Sequence, residues 1–172
     1  HTIGRRQRQM CIRDRNLPDI DGMVIVTTPQ DVALLDSRKS ITFANSLKVD
    51  VIGVIENMSG YTIRGKAPAG AEIELAAPGG KTVKAQADSD GNWAGTLDIF
   101  KSGGGEKTAN EFNVPFLGKL PFDPGFVRGG DDGVHRIVSE PDGPSSEAFS
   151  KVVAKIQERV ESGSTEGGLE II

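Results

Sequence analysis

A single cysteine, Cys11, is all that the 172 residues contain, which excludes an internal disulfide framework and any multi-cysteine metal site built within one chain. No apolar run is long enough to cross a bilayer, and the first residues lack the hydrophobic core of a secretion signal. The phosphate-cradling pattern G-x-x-x-x-G-K-[ST] occurs nowhere. The nearest glycine cluster, SGGGEK, has the wrong spacing and no strand running directly into it. Nor is there an excess of basic charge. The net charge is −4, and five arginines against one aspartate in the opening HTIGRRQRQMCIRDR leave −8 for the rest. Such an acidic body argues against a nucleic-acid partner, and the leader has no aromatic interleaving that would make it a nucleic-acid arm. It resembles a translated sequencing-adapter sequence, so residues 1–15 are expected to be a non-native leader. His135 has no serine, cysteine or second histidine at a catalytic spacing and reads as an ordinary surface or half-buried residue.

What is present is enough for one ordinary soluble domain, with 37% hydrophobic and 26% charged residues. Met23 to Thr28 and Val49 to Ile55 are nearly continuous apolar, β-branched runs, the pattern of strands covered on both faces. Between them Asp31 can cap a helix after Pro29. Leu34, Leu35, Ile41 and Ala44 give that helix an apolar face. The unit is a parallel crossover, so the loops Thr28-Pro29-Gln30 and Glu56-Asn57-Met58-Ser59 should gather at the carboxyl edge of the sheet, where open α/β sheets bind ligands.

From Tyr61 to Leu97 the composition shifts to Gly, Ala, Thr and Val. AEIELA, TVKAQA and NWAGTL are short alternating runs separated by turns, the signature of a β-meander. This stretch resembles part of a bacterial Ig-like repeat. Its DSDGN turn has aspartates at alternate positions, but Ile99 stands where a calcium loop needs its bidentate glutamate, so a plain turn is favoured. Beyond it, Ser102–Gly105 leads into a short helix, Glu106 to Phe112, whose free N–H groups could attract an anion, although a flexible turn before a helix is the commoner meaning of three glycines. Val114 to Leu120 is a further strand broken at Pro121, and Gly129 to Gly143 a polar, glycine-rich connection. Ser145 or Ser146 can cap a last helix striped by Ala148, Phe149, Val152, Val153, Ile156 and Val160, with residues 162–172 fraying.

The segments DGMVIVTTPQDVALLDSRKSITFANSLKVDVIGVIENMSG, DIFKSGGGEKTANEF and VPFLGKLPFDPGFVRGGDDG resemble the carboxyl-terminal half of the Mrp-type iron-sulfur cluster carrier ATPases, in the deviant Walker-A, MinD-like branch of the P-loop NTPases. The resemblance implies ATP and Mg2+ as ligands, a 4Fe-4S cluster bridging a homodimer, iron-sulfur client apoproteins, and a cytoplasmic hydrolase that binds metal. It also implies an upstream glycine-rich loop with two lysines and an aspartate-bearing strand. Neither is in the sequence, and the expectation is a truncated chain. Adenine would lie between the loop bearing Asn57 and the loop Pro121-Phe122-Asp123-Pro124. The C-x-x-C pair that follows ENMSG in the carriers is absent, so cluster ligation does not carry over.

The expected fold class is therefore α/β, a three-layer and mostly parallel sheet forming an incomplete P-loop NTPase fold, with a small antiparallel β insertion. Residues 16–60 and 98–161 form the NTPase half and 61–97 the insertion. The expected function is the adenine-binding half of an ATP-binding cluster carrier, inactive alone, with Asn57, Pro121, Phe122 and Asp123 at the base. A MinD or ParA-like positioning ATPase and a non-catalytic β binding module are the alternatives.

Overall fold

Residues 20–166 are described in the computed structural model. The basic leader with Cys11 and residues 167–172 of the expected tail lie outside them. In chain order the elements are β1 (Met23–Thr27), α1 (Asp31–Ser46), β2 (Val51–Glu56), β3 (Tyr61–Lys66), β4 (Glu72–Ala77), β5 (Lys81–Gln86) and β6 (Asn92–Leu97). Then come α2 (Gly104–Glu111), β7 (Phe116–Lys119), α3 (Pro124–Asp131), α4 (Arg136–Ser139) and α5 (Pro144–Glu166).

Strands β1, β2 and β7 make a parallel sheet in the order β1-β2-β7. Every residue of the central strand β2 is buried, which is why its sequence runs apolar without alternation until Glu56. On one face α1 and α2 cover Ile25, Val51 and Val54 with Ile41, Ala44 and Ala109. On the other, α5 brings Val152 and Ile156 against Ile55 and Leu117. Helix, sheet and helix give three layers around two small cores.

Several local expectations are corrected. Gln30, not Asp31, precedes α1 and no side chain caps it; Asp31 is the first helical residue and pairs with Lys101 at 2.6 Å. Leu35 points outward at 54% exposure, while Ser37 takes a buried position by bonding back to the Ala33 carbonyl at 2.9 Å. The expected glycine-rich connection from Gly129 to Gly143 is helical in part: its first residues close α3 at Asp131, and Arg136–Ser139 form α4. Asp123 caps α3 by accepting from Gly125 N at 2.8 Å, and Pro124 sits where a missing N–H costs nothing. Neither Ser145 nor Ser146 caps α5. Both lie within its first turn, and the Ser146 hydroxyl donates to the Glu140 carbonyl at 2.6 Å. That helix runs on to Glu166, past the expected fraying point.

Residues 61–97 are not a meander. Strand β3 pairs with β6 and β4 with β5, both antiparallel, so the outer strands close on each other and Tyr61 stands opposite Leu97. The Leu75 side chain lies over Gly95, folding the inner ribbon back across the outer one. A meander would leave these small apolar faces in water; nesting buries them against each other. In the DSDGN turn the Asp88 carboxylate accepts from the backbone N–H groups of Asp90 and Asn92 at 2.9 and 2.8 Å, an Asx turn in which the carboxylate serves the backbone. Among the described residues no group of three or more His, Cys, Asp or Glu is placed to hold a metal ion, and no helix is long and apolar enough to cross a membrane.

Candidate functional site

The carboxyl edge of the sheet is organised by one residue that sequence reasoning passed over, Glu56. Its side chain is fully buried at the end of β2. Burying a carboxylate is costly unless its oxygens are satisfied. Here Oε1 accepts from Ser59 Oγ at 2.6 Å and from Gly103 N at 3.0 Å, and Oε2 from Gly105 N at 2.7 Å. Glu56 thus supplies the negative charge at the amino end of α2, where the free N–H groups and helix dipole favour an anion. The helix end after SGGGEK, weighed in the sequence as an anion site against a commoner plain turn, is occupied by the protein's own carboxylate. Two of the glycines follow from this arrangement. Gly103 has φ of 86°, and a Cβ on Gly105 would stand 2.9 Å from Glu56 Cβ.

Burial pushes the Glu56 carboxyl up, but the bonds from Ser59, Gly103 and Gly105, with the Lys119 charge, outweigh it and hold the group below its ordinary value. A depressed carboxyl contributes stability above the unfolded pKa, and loses it as pH falls through the lower folded value. Asp123, depressed by Gly125, Ser145 and Arg136 against its own burial, adds to the same acid limb. Stability should therefore be flat near neutrality and decline below about pH 4.3. Glu56→Gln should flatten part of that decline in denaturation curves taken at stepped pH; an unchanged acid limb would mean that Glu56 does not carry it.

Beside this anchor the loop 57–60 is held by the backbone bonds Asn57 N to Thr27 O and Ser59 N to Leu120 O, at 2.7 and 2.9 Å. It faces the loop after β7 across a cavity of about 270 Å³ lined by Asn57, Met58, Leu120, Pro121, Phe122, Asp123, Phe126, Ser145 and Phe149. All four residues singled out from sequence, Asn57, Pro121, Phe122 and Asp123, meet on this one cavity. Their states differ. Asn57 Oδ1 accepts from Met58 N at 2.9 Å, which fixes the amide orientation and leaves its NH2 group without a partner among the described residues. Asp123 is committed to Gly125 N and to Arg136 Nε at 2.8 and 3.3 Å, so it shapes the loop through α3. Phe122 is pinned by its N–H bond to the Gly60 carbonyl at 2.8 Å.

Phe126 and Phe149, with ring centroids 6.5 Å apart, supply apolar wall that sequence reasoning did not assign to a site. For Phe149 the only signal was the apolar stripe of α5, which looks the same whether it packs or lines a cavity; Phe126, on α3, carried none. Among the described residues no Lys, Arg or His lines the cavity. It is suited to a flat, largely apolar group with a hydrogen-bonding edge and offers nothing to a phosphate. His135, immediately before α4, is exposed and does not line it.

Sheet, crossover and carboxyl-edge cavity together define a three-layer, open-sheet α/β protein. The chain belongs to the ParA family in its NUBPL iron-transfer P-loop NTPase form, whose profile matches residues 8–91 and 86–157. It is 40% identical over 144 residues to the iron-sulfur cluster carrier protein of Methanococcus maripaludis, covering 84% of this chain and 40% of that protein. It is 38% identical over 147 residues to the carrier of Methanocaldococcus jannaschii, covering 86% and 41%. The chain thus spans about two fifths of the length of these relatives. The cell division ATPase MinD of Pyrococcus furiosus superposes with a TM-score of 0.49 at 17% identity, over 80% of this chain and 43% of MinD.

Proposed function

We propose that this chain supplies the wall that holds the adenine of ATP in an iron-sulfur cluster carrier, and that the phosphate-binding loop and magnesium site of such a carrier belong to sequence outside it. The observation that carries this is the meeting of Asn57 with Pro121 and Phe122 on an apolar cavity whose described lining residues include no cation. The free Asn57 NH2 can donate to a ring nitrogen, and one Oδ1 lone pair remains for an exocyclic amine. Among the described residues strand β1 has a neighbour on one side only, and Val26, Val32 and Leu35 on and beside it are 58%, 75% and 54% exposed. That edge is where the rest of a carrier would add strands. The intact protein would be a cytoplasmic, homodimeric ATP hydrolase serving iron-sulfur apoproteins, with residues 61–97 as an insertion in its nucleotide domain.

The carrier names of the relatives favour this reading over a positioning ATPase. A free-standing β module is disfavoured by the contact that β3 makes with Phe122. The test is nuclear magnetic resonance on the chain itself. Millimolar adenosine should shift Asn57, Phe122 and Phe126 resonances while tripolyphosphate leaves them in place, and Asn57→Ala should weaken the adenosine response. Shifts from tripolyphosphate alone, or none from adenosine, would overturn the assignment.

The cluster is cargo, and here the chain does not offer its ligands. Directly after Gly60 the backbone enters β3, whose Tyr61–Lys66 carries no cysteine. Hydroxyl and carboxylate oxygens are hard ligands and do not replace thiolates around iron and sulfide. Anaerobic reconstitution with iron and sulfide should leave no stable cluster. Stoichiometric iron and sulfide with a visible charge-transfer band, retained in Cys11→Ser, would contradict this.

A further inference from the structure

We infer that Tyr61, the first residue of the inserted β segment, is a positioning residue for the ligand in the base cavity, acting through the ring of Phe122. This rests on the base-cavity reading above. Phe122 is a partition. On one side it lines the cavity with Asn57 and Phe149; on the other it lines a second cavity of about 180 Å³ between the insertion and the host, bounded by Tyr61, Thr62, Arg64 and Arg136. A ring between two voids has room to tilt away from a ligand unless something stands behind it.

Four residues are shared by the two cavities: Pro121, Phe122, Asp123 and Ser145. Pro121 is rigid by its ring, and Asp123 is held by Gly125 N and Arg136 with Ser145 bonded to it. Phe122 alone has a side chain whose orientation is set by packing. The ring of Tyr61 meets it edge-on, with centroids 5.8 Å apart and planes at 68°. The backbone is fixed separately, by the parallel bridge between Tyr61 and Phe122 and the bond from Phe122 N to Gly60 O at 2.8 Å. Truncating the tyrosine therefore frees the ring while the loop stays in place. The insertion is then a component of the site, and whatever moves the start of β3 alters how firmly the base is held.

The experiment is an adenosine titration followed by Phe122 and Asn57 resonances, with unfolding midpoints recorded in parallel. Tyr61→Ala should raise the dissociation constant about 2- to 12-fold, the range expected from losing one edge-on aromatic pair. Tyr61→Phe keeps the ring and should bind within about twofold of the wild type. Tyr61→Leu keeps the bulk without the ring edge and should fall between, which covers the case of an alanine variant that folds poorly. In a Phe122→Leu background, Tyr61→Ala should add nothing further, because the two act as one unit. Equal affinity in Tyr61→Ala and wild type, equal loss in Tyr61→Phe and Tyr61→Ala, or full additivity with Phe122→Leu would overturn the inference while leaving the base-cavity reading standing. Absence of adenosine binding to the wild type would instead remove that reading and this inference with it.

Discussion

Glu56→Ala is expected to lower the unfolding midpoint by roughly 6–12 °C, from a loss of about 3 kcal/mol at 2–4 °C per kcal/mol for a chain of this size. The size of the effect comes from what is left behind. Two backbone N–H groups at the amino end of α2 lose a charged acceptor, and Ser59 loses its partner at 2.6 Å. Each buried donor left unpaired costs about 1–3 kcal/mol, which exceeds the net gain of an ordinary hydrogen bond. Glu56→Gln should sit between the two proteins. Its amide oxygen can serve Gly103 or Gly105, but its NH2 then faces the other N–H, so one donor stays orphaned. Calorimetric melting of the three proteins at pH 7 checks this ranking. An alanine variant that melts within about 1 °C of the wild type would mean that water satisfies the helix end without the carboxylate.

Much of the three-layer α/β fold was legible because its elements carry strong periodic signals. The runs Met23 to Thr28 and Val49 to Ile55, the helical spacing of Leu34, Ile41 and Ala44, and the stripe of α5 all state which face must leave water. Glu56 was not legible. A charge closing an apolar strand looks like the point where the strand reaches solvent, and nothing local says that a helix end 47 residues later, starting from its cap Gly103, brings it two N–H groups. The helix α3 was hidden for another reason. Asp123-Pro124 is a cap followed by proline at the first helical position, but Gly129 and Gly130 outweigh it on propensity. Alternation in residues 61–97 identified strands, and it carries no information on which strand pairs with which.

The site divides in the same way. Asn57 and Pro121 to Asp123 were reachable because loops after parallel strands share one edge, and because the ENMSG string resembles a known family. The reach of Phe126 and Phe149 to that edge depends on α3 and on the tilt of α5, both products of tertiary packing. Asp123 was assigned to the base, yet its carboxylate is spent on α3 and Arg136, whose guanidinium also meets Glu140 at 2.5 Å. It lines the cavity and holds the loop in shape.

The second large effect is on nucleotide binding: the chain by itself should bind ATP no better than millimolar and should not hydrolyse it. Phosphoryl transfer rests on positioning and charge stabilisation by a phosphate-binding loop, its lysines and magnesium. Among the described residues none that lines the base cavity is cationic, and the amino end of α2 is filled by Glu56. Losing charge-assisted contacts to three phosphates, at roughly 1.5–3 kcal/mol each, weakens binding by several orders of magnitude. Joined to the phosphate-binding part of a carrier, the same cavity should matter again. Asn57→Ala would then raise the ATP dissociation constant while changing the maximal rate less, because the base is remote from the reacting phosphate.

Isothermal calorimetry of the chain with ATP, with and without magnesium, tests the central claim most directly. The account predicts no heat of binding in the micromolar range and no dependence on magnesium, alongside a weak response to adenosine at millimolar concentration. Micromolar binding of ATP that requires magnesium would contradict it, because this chain would then hold a phosphate cradle of its own.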